Sequence, residues 1–239
     1  MKNLIVFGGT GRSGLAVLEQ AADELDIQVT AFVRTPTKIP GHVRSKILVV
    51  QGDVLKKEEV SDAIKGKDAV ISCLGNGFSL MPTTVISRGI GNIIEGMREN
   101  NVKQIVVVGV AFLLPNGYFT PFFMKGIVND HARMINILKK AKDLDWVIVA
   151  PPEISDQPFT NEYTTTLNKN APEYVVSTQD LAHWLLRCIK DDKLMNESCH
   201  QMVGISSKLP LKNWLSTTSG ISTLVIVALL VISIYYFTV

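Results

Sequence analysis

The chain has 239 residues, with 24 Lys and Arg against 22 Asp and Glu, and its mean hydropathy is +0.22. Its charged fraction of 19% is below the roughly 25% of an average globular domain. All of the charge lies at or before Lys212, so residues 1–212 are about 22% charged, which is an ordinary value. The apolar average therefore comes from the C-terminal segment alone.

Charge and cysteine usage exclude several classes of protein. A net charge of +2 without a sustained basic run argues against a nucleic-acid partner. The three cysteines, Cys73, Cys188 and Cys199, are odd in number and lack CxxC spacing, so we expect neither a disulfide framework nor a metal site. Only four apolar residues precede the first glycines, so a secretory signal peptide is not expected either.

Residues 221–239 read ISTLVIVALLVISIYYFTV, without charge or proline. A helix of this length spans about 28 Å, close to the roughly 30 Å of a hydrocarbon core. With Lys208, Lys212 and Trp214 before it, the segment predicts a single-pass transmembrane tail anchor behind a cytosolic domain, with residues 206–220 as linker. The absence of a basic residue after the span favours the endoplasmic reticulum. A buried C-terminal strand or helix, or an aggregation-prone end, is the alternative.

Residues 1–205 are predicted to form one α/β domain. Short apolar runs at 4–7, 29–33, 47–50, 69–73, 105–108, 146–150 and 174–176 alternate with predicted helices at 14–24, 57–64, 83–99, 129–141 and 179–190. This alternation is typical of βαβ units and predicts a doubly wound parallel sheet, the Rossmann fold. Such sheets bind ligands beyond the carboxyl ends of their strands.

Three glycines, Gly8, Gly11 and Gly14, follow the first predicted strand and open the first helix. They would supply the tight turn, the close approach of backbone to a pyrophosphate, and close packing of helix on strand. The helix N-terminus would then offer free N–H groups to the phosphates. The pattern predicts dinucleotide binding, and the alternative is an ordinary glycine-rich turn.

The second predicted strand ends in Arg34, where an NAD-preferring site usually carries an acidic residue. Arg34, together with Lys38 and Arg12, suits a 2′-phosphate, so NADP(H) is the predicted cofactor. Solvated surface charges are the alternative. Asp53 after the third strand is placed to accept a hydrogen bond from the adenine amino group, and Leu74-Gly75 after the fourth to run beneath the ribose.

Several short segments between roughly residues 3 and 190 form a recognisable set: Phe7-Gly8, Thr10-Gly11, Gly14, Val33-Arg34, Gly52-Asp53-Val54, Asp130-His131, Pro151-Pro152 and Asp156-Gln157-Pro158. In these segments the chain resembles the biliverdin/flavin reductases of the atypical short-chain dehydrogenase type. The resemblance implies a monomeric, NADPH-dependent reductase of flavins and open-chain tetrapyrroles. By the same resemblance the cofactor contacts fall on Gly8, Thr10, Gly11, Arg12, Ser13, Arg34, Thr37, Lys38, Asp53, Val54, Leu74, Gly75, His131 and Ile154.

Three positions depart from that family's pattern. Val110 stands where a hydroxyl residue is expected beside the nicotinamide, Glu153 replaces a histidine, and Tyr174 replaces an arginine of the substrate pocket. Biliverdin carries propionates, which bind positive charge, so these changes disfavour biliverdin as a substrate more than they disfavour NADPH as a cofactor.

No tyrosine of the chain has a lysine four residues later, which disfavours the alcohol dehydrogenase and sugar epimerase mechanisms of short-chain dehydrogenases. His131 is the nearest residue to a catalytic candidate, and we expect it to position the nicotinamide ribose. Asp156 is expected to fix its loop through local hydrogen bonds.

The aromatic segment 112–124 has three open roles: a pocket wall for a flat ring, lid packing, or contact with a membrane surface. Taken together, the sequence predicts an NADPH-dependent reductase of a small planar acceptor (flavin, tetrapyrrole or quinone-like), held on a membrane. The rival hypothesis is a catalytically silent, membrane-tethered NADP(H)-binding scaffold or redox sensor.

Overall fold

The computed structural model describes residues 1–77, 81–115 and 120–208, and this part of the chain forms an eight-stranded sheet flanked by helices. In chain order its strands and helices are β1 (Lys2–Phe7), α1 (Arg12–Ala21), β2 (Ile27–Val33), α2 (Gly41–Arg44), β3 (Leu48–Gln51), α3 (Lys57–Ile64), β4 (Ala69–Ser72), α4 (Val85–Glu99), β5 (Gln104–Val108), α5 (Lys125–Lys140), β6 (Asp145–Ala150), β7 (Glu153–Ser155), β8 (Tyr163–Leu167), β9 (Val175–Ser177), α6 (Thr178–Lys190), α7 (Asp192–Ser198) and β10 (Met202–Ser207).

The strands of the sheet lie in the order β3-β2-β1-β4-β5-β6-β10-β8. Every neighbouring pair is parallel except β10 and β8, which are antiparallel. The order reverses between β1 and β4, and at such a reversal the flanking loops leave a crevice outside the carboxyl ends of the strands. The predicted doubly wound α/β domain with a parallel sheet is confirmed.

The central strands read as continuous apolar runs because helices cover both faces of the sheet. In β1, Leu4 and Val6 pack into the core beneath α1 and α6, whereas Ile5 and Phe7 pack into the core beneath α3, α4 and α5. All four side chains are fully buried. Burying each contributes about 1.5–3 kcal/mol, so the strand that carries the glycine loop is rigidly held.

Two strands at one side of the sheet were not predicted from the sequence. β10 pairs in parallel with β6, and β8 covers its other edge. The predicted run at 174–176 lies outside the large sheet, in the two-stranded sheet of β7 and β9. β8 contains three consecutive threonines, and β10 contains Gly204 and two serines. Neither composition is that of a buried apolar strand, so the sequence did not predict their pairing.

β10 extends to Ser207, two residues beyond the predicted end of the domain at residue 205. Among the helices of the described residues, none combines the length and apolar character needed to cross a bilayer. The predicted linker beyond Lys208 and the predicted transmembrane tail at 221–239 lie outside the described residues.

Candidate functional site

The loop after β1 is shaped by glycines that admit no side chain. Gly8 has a left-handed φ of +80°, and a Cβ there would lie within 3.0 Å of the Cys73 carbonyl at the end of β4. The Gly11 N–H donates to the Gly8 carbonyl at 3.0 Å and closes the turn. A Cβ at Gly14 would clash with the same Gly8 carbonyl, so Gly14 serves the packing of α1 on β1.

The N-terminus of α1 is left open towards the crevice. Its N-cap residue is Gly11, which is extended and supplies no capping side chain. Within the described part of the chain, no backbone carbonyl accepts from the N–H groups of Ser13 or Gly14. These donors and the positive end of the helix dipole form an anion site of the kind that binds a pyrophosphate.

A cleft of about 430 Å³ lies at the carboxyl edge of the sheet, around this loop. It brings together thirteen of the fifteen residues predicted to contact the cofactor: Gly8, Thr10, Gly11, Arg12, Ser13, Arg34, Lys38, Asp53, Val54, Leu74, Gly75, His131 and Ile154. The other two, Gly14 and Thr37, do not line it: Gly14 packs beneath the loop, and Thr37 is exposed beside it.

Apolar residues that sequence reasoning did not assign to the site complete the walls. Phe32, Val85 and Ile127 line the cleft from β2, α4 and α5. Phe32 also packs so closely on Gly52 that any side chain at Gly52 would clash with its ring. No local motif marks these residues, because their role depends on which helices close over the sheet.

Arg34 and Lys38 form the cationic end of the cleft. Both side chains are exposed, and among the described residues neither lies in an ion pair with a carboxylate. The Gln51 side-chain amide donates to the Arg34 carbonyl at 3.3 Å, which ties the end of β2 to β3. Two cations without protein anions to neutralise them suit a phosphate group.

Arg12 is held on the opposite side of the loop. Its guanidinium donates to the Ile154 carbonyl at 3.0 Å and lies 3.8 Å from an oxygen of Asp156. These contacts direct Arg12 towards β7, so Arg34 and Lys38 are the better-placed pair for a 2′-phosphate.

Asp53 lies at the turn after β3, where it is fixed by its own backbone. Its carboxylate accepts from the Leu55 N–H at 3.0 Å, and its N–H donates to Glu59 at 2.9 Å. Glu59 also bonds the Lys56 ammonium at 2.7 Å, and this contact lowers the Glu59 pKa. The turn thus presents Asp53 to the cleft in one orientation, as an adenine contact requires.

His131 lines the other end of the cleft from α5 and is 5% exposed. Its Nδ1 is buried and has no hydrogen-bond partner among the described residues. Burial lowers the pKa of His131 to about 4, although the neighbouring Asp130 carboxylate acts in the opposite direction. A neutral imidazole with an unsatisfied nitrogen is suited to bond a hydroxyl of a bound molecule.

The position of His131 is set by Asp130, the preceding residue, which is fully buried. Its carboxylate accepts from the N–H groups of Ile86 at 3.0 Å and Ser87 at 3.3 Å, at the start of α4. The N-cap residue of α4, Thr84, makes no capping bond of its own. Asp130 therefore caps α4 from α5 and locks the two helices together at the cleft.

The cleft has an apolar wall at Val110, where the resembled family has a hydroxyl residue. Val110 lines it, and the backbone around Val110 is fixed by bonds from the Gly109 N–H to Val149 (2.6 Å) and from the Ala111 N–H to Pro151 (3.0 Å). Aliphatic walls favour contact with the face of a flat ring.

The loop before β8 is fixed by a residue that sequence reasoning missed. The buried Asp180 accepts from the Thr160 N–H (2.9 Å), the Thr160 hydroxyl (2.7 Å) and the Asn161 N–H (3.1 Å), and also from the Ser207 hydroxyl. Asp156, the predicted anchor, accepts one bond from Thr178 at 3.2 Å, and its side chain is 65% exposed. The main anchor thus lies about twenty residues along the chain, where no local pattern reveals it.

Of the aromatic segment, residues 116–119 lie outside the described residues. Phe122 and Phe123 pack edge to face at 5.6 Å between ring centres, and Phe122 is 75% exposed. Neither ring lines the cleft, so for these two residues the pocket-wall interpretation is not supported.

Comparison with known proteins agrees with the geometry. Residues 8–192 match the family model described as NAD(P)H-binding. A short-chain dehydrogenase/reductase of Veillonella parvula in complex with NADP is 14% identical, with a TM-score of 0.71 over 87% of this chain and 95% of its own. A candidate NADH-flavin reductase of Streptococcus pneumoniae is 21% identical, with a TM-score of 0.71 over 87% and 100%.

A candidate epimerase of Bacteroides thetaiotaomicron is 24% identical, with a TM-score of 0.73 over 87% of this chain and 98% of its own. At these identities the three structures share the fold with this chain. Their different activities show that the fold alone does not select the reaction.

Proposed function

Because the chain belongs to the NAD(P)H-binding family, we propose that it is a reductase that takes hydride from NADPH and delivers it to a flat, conjugated acceptor. The observation that carries this proposal is the difference in charge between the two ends of the cleft. One end presents Arg34 and Lys38, and the other presents a buried neutral His131 beside the apolar Val110.

NADPH is favoured over NADH by the cations at the end of β2. A ribose with free hydroxyls would need an acceptor at this position, and Arg34 has only donors. Arg34 and Lys38 would bind the 2′-phosphate, the first turn of α1 the pyrophosphate, and Asp53 the adenine amino group. The glycine loop and the unsatisfied Nδ1 of His131 fit this cofactor, since the loop excludes side chains where phosphates would lie.

The bound cofactor supplies the hydride, so the protein has to position two rings and exclude water. His131 would hold a hydroxyl of the nicotinamide ribose, and Asp130 keeps His131 in place through α4. Val110 and Ile154 would lie against the rings. With its pKa near 4, His131 is neutral at physiological pH and a poor proton donor there, so its role is positioning.

A flavin is the best-supported acceptor. The resemblance to biliverdin/flavin reductases and the fold shared with a candidate NADH-flavin reductase both point to this class. No tyrosine precedes a lysine at the spacing used for carbonyl reduction, and a flavin does not require such a pair. Open-chain tetrapyrroles are the second class, with Glu153 and Tyr174 standing where the resembled family carries positive charge.

An acceptor screen tests this proposal. NADPH oxidation is followed with riboflavin, FMN, biliverdin and a water-soluble quinone, each against NADH as the alternative donor. We expect oxidation with the flavins and a preference for NADPH. Tight NADPH binding without oxidation by any acceptor would support the silent scaffold instead.

Tethering to a membrane is a separate proposal, supported by the sequence of residues 221–239. A domain held at a membrane by a single span would meet acceptors or partners there at raised local concentration. Flotation of the full chain with liposomes tests the tether, and deletion of residues 213–239 is expected to abolish flotation. Microscopy of the tagged full chain would show whether the membrane is the endoplasmic reticulum.

A further inference from the structure

The described chain ends at the same edge of the sheet as the cleft. β10 is parallel to β6, so Ser207 lies at the carboxyl edge, and the Lys208 N–H donates to the Glu162 carbonyl at 3.0 Å. Residue 221, where the predicted span begins, lies thirteen positions after Lys208, with twelve residues between them. Fully extended, thirteen residues reach at most about 45 Å, so the point where the chain leaves the domain would lie within that distance of a membrane that holds the span.

Three exposed apolar side chains lie on loops at this carboxyl edge, and we call them the apolar rim: Met81 (70% exposed), Phe122 (75%) and Phe159 (48%). Met81 follows β4, Phe122 follows β5, and Phe159 precedes β8, whose first residue pairs with Ser207. The loop that carries Met81 contacts the first turn of α5, just after Phe122, since Gly126 packs against Pro82.

Each phenylalanine of the apolar rim contacts one neighbouring ring. Phe122 packs edge to face on Phe123, and Phe159 lies 4.8 Å from the ring of His183, between ring centres. Exposed apolar side chains also occur at the opposite, amino edge, where Leu25 precedes β2 and Leu48 begins β3. Exposure alone does not distinguish the edges, but the two phenylalanines and the exit of the chain fall on one of them.

Resting on the proposed membrane tether, we infer that the apolar rim docks on the surface of the phospholipid bilayer, so that the cleft opens towards the lipid. Aromatic side chains are favoured at the boundary between headgroups and acyl chains. We take the bilayer as the partner because the chain leaves the domain at this edge on its way to the predicted span. An acceptor dissolved in the membrane would then enter the cleft without crossing bulk water.

Labelling of cysteines introduced into the full chain, in phosphatidylcholine vesicles, tests this inference. Phe122→Cys and Phe159→Cys each carry the fluorophore NBD, and the vesicles contain lipid with a nitroxide near the headgroup. Leu25→Cys is the matched control, as it is 98% exposed at the amino edge. The unsubstituted chain measures labelling of the native thiols, of which burial raises the pKa of Cys73 and Cys188 to about 12 and so slows their reaction.

We expect nitroxide lipid to quench NBD at positions 122 and 159, with a blue-shifted emission, and to leave position 25 unaffected. Adding Phe122→Asp to the chain labelled at position 159 should reduce that quenching while NADPH binding is retained. Flotation with the vesicles reports the tether independently. A chain that floats but shows no quenching at the rim, or equal quenching at position 25, would overturn the docking inference and leave the tether standing. A chain that does not float would overturn both.

Discussion

At the residue scale, Arg34 is the position on which cofactor choice depends. It is exposed at the end of β2, lines the cleft, and has no carboxylate partner among the described residues. A charge-assisted hydrogen bond to a phosphate contributes about 1.5–3 kcal/mol, or about 10- to 100-fold in affinity. We expect Arg34→Glu to raise the Kd for NADPH by at least about tenfold and to change the Kd for NADH much less.

Arg44→Glu is the matched control for this measurement by titration calorimetry. Arg44 is also exposed, at the end of α2, but it does not line the cleft. Equal losses of NADPH affinity in the two variants would indicate a general charge effect. An unchanged Kd in Arg34→Glu would remove the basis for the NADPH preference.

His131 gives a prediction for pH dependence. Its pKa in the folded protein is about 4, below the 6.5 of an unperturbed histidine, because burial disfavours the charged form. Between pH 6.5 and 4 the unfolded chain therefore binds a proton that the folded chain does not. The free energy of unfolding falls as the pH falls through this window, by up to about 3 kcal/mol from this group.

The check is urea unfolding of the wild type and His131→Gln at several pH values. The difference in stability between them should shift in favour of the variant as the pH falls from 6.5 to 4, and should stay constant above 6.5. A constant difference over the whole range would contradict a buried, neutral His131. The pH profile of kcat/KM should likewise show no inflection from His131 near neutrality.

At the scale of elements, the cleft depends on α5 holding α4. Asp130→Asn keeps the shape of the side chain but removes its charge, which caps the first turn of α4 and also pairs with Arg133 at 3.1 Å. Losing such a cap costs about 1–2 kcal/mol, and we expect this loss in the free energy of unfolding together with weaker NADPH binding, because His131 follows Asp130.

Asp143→Asn is the control for this experiment. Asp143 pairs with Arg98 at 2.7 Å, which lowers the Asp143 pKa to about 2, but both side chains are nearly half exposed. Solvent and salt screen exposed ion pairs, so the control should lose less stability than Asp130→Asn. The opposite order in denaturant midpoints would show that Asp130 is not the cap that joins α4 to α5.

These elements also show what the sequence reveals. The glycines of the β1 loop and Arg34 act within a few residues of a recognisable strand, so local spacing was enough to predict where they lie. Asp130 and Asp180 act on segments about 20 to 45 residues away, and their roles appear only when helices pack. β10 was missed because its strand character comes from pairing with β6 and β8 rather than from its own composition.

At the scale of the whole molecule, the low charged fraction of the chain has one source. Residues 1–212 have an ordinary charged fraction, and the residues after Lys212 carry no charge. The domain is a doubly wound sheet with its cleft, its apolar rim and the exit of the chain at one edge. This common edge would bring the proposed NADPH chemistry and the proposed membrane tether together on one side of the domain.

The most direct test of the central claim is hydride transfer by the full chain in phosphatidylcholine vesicles. NADPH and FMN are mixed with it in the absence of oxygen, and the absorbances of both are followed together. We predict that each flavin reduced consumes one NADPH, that NADH is slower, and that Arg34→Glu removes the advantage of NADPH. NADPH that binds tightly but is not consumed, with FMN, biliverdin or a quinone present, would contradict a reductase.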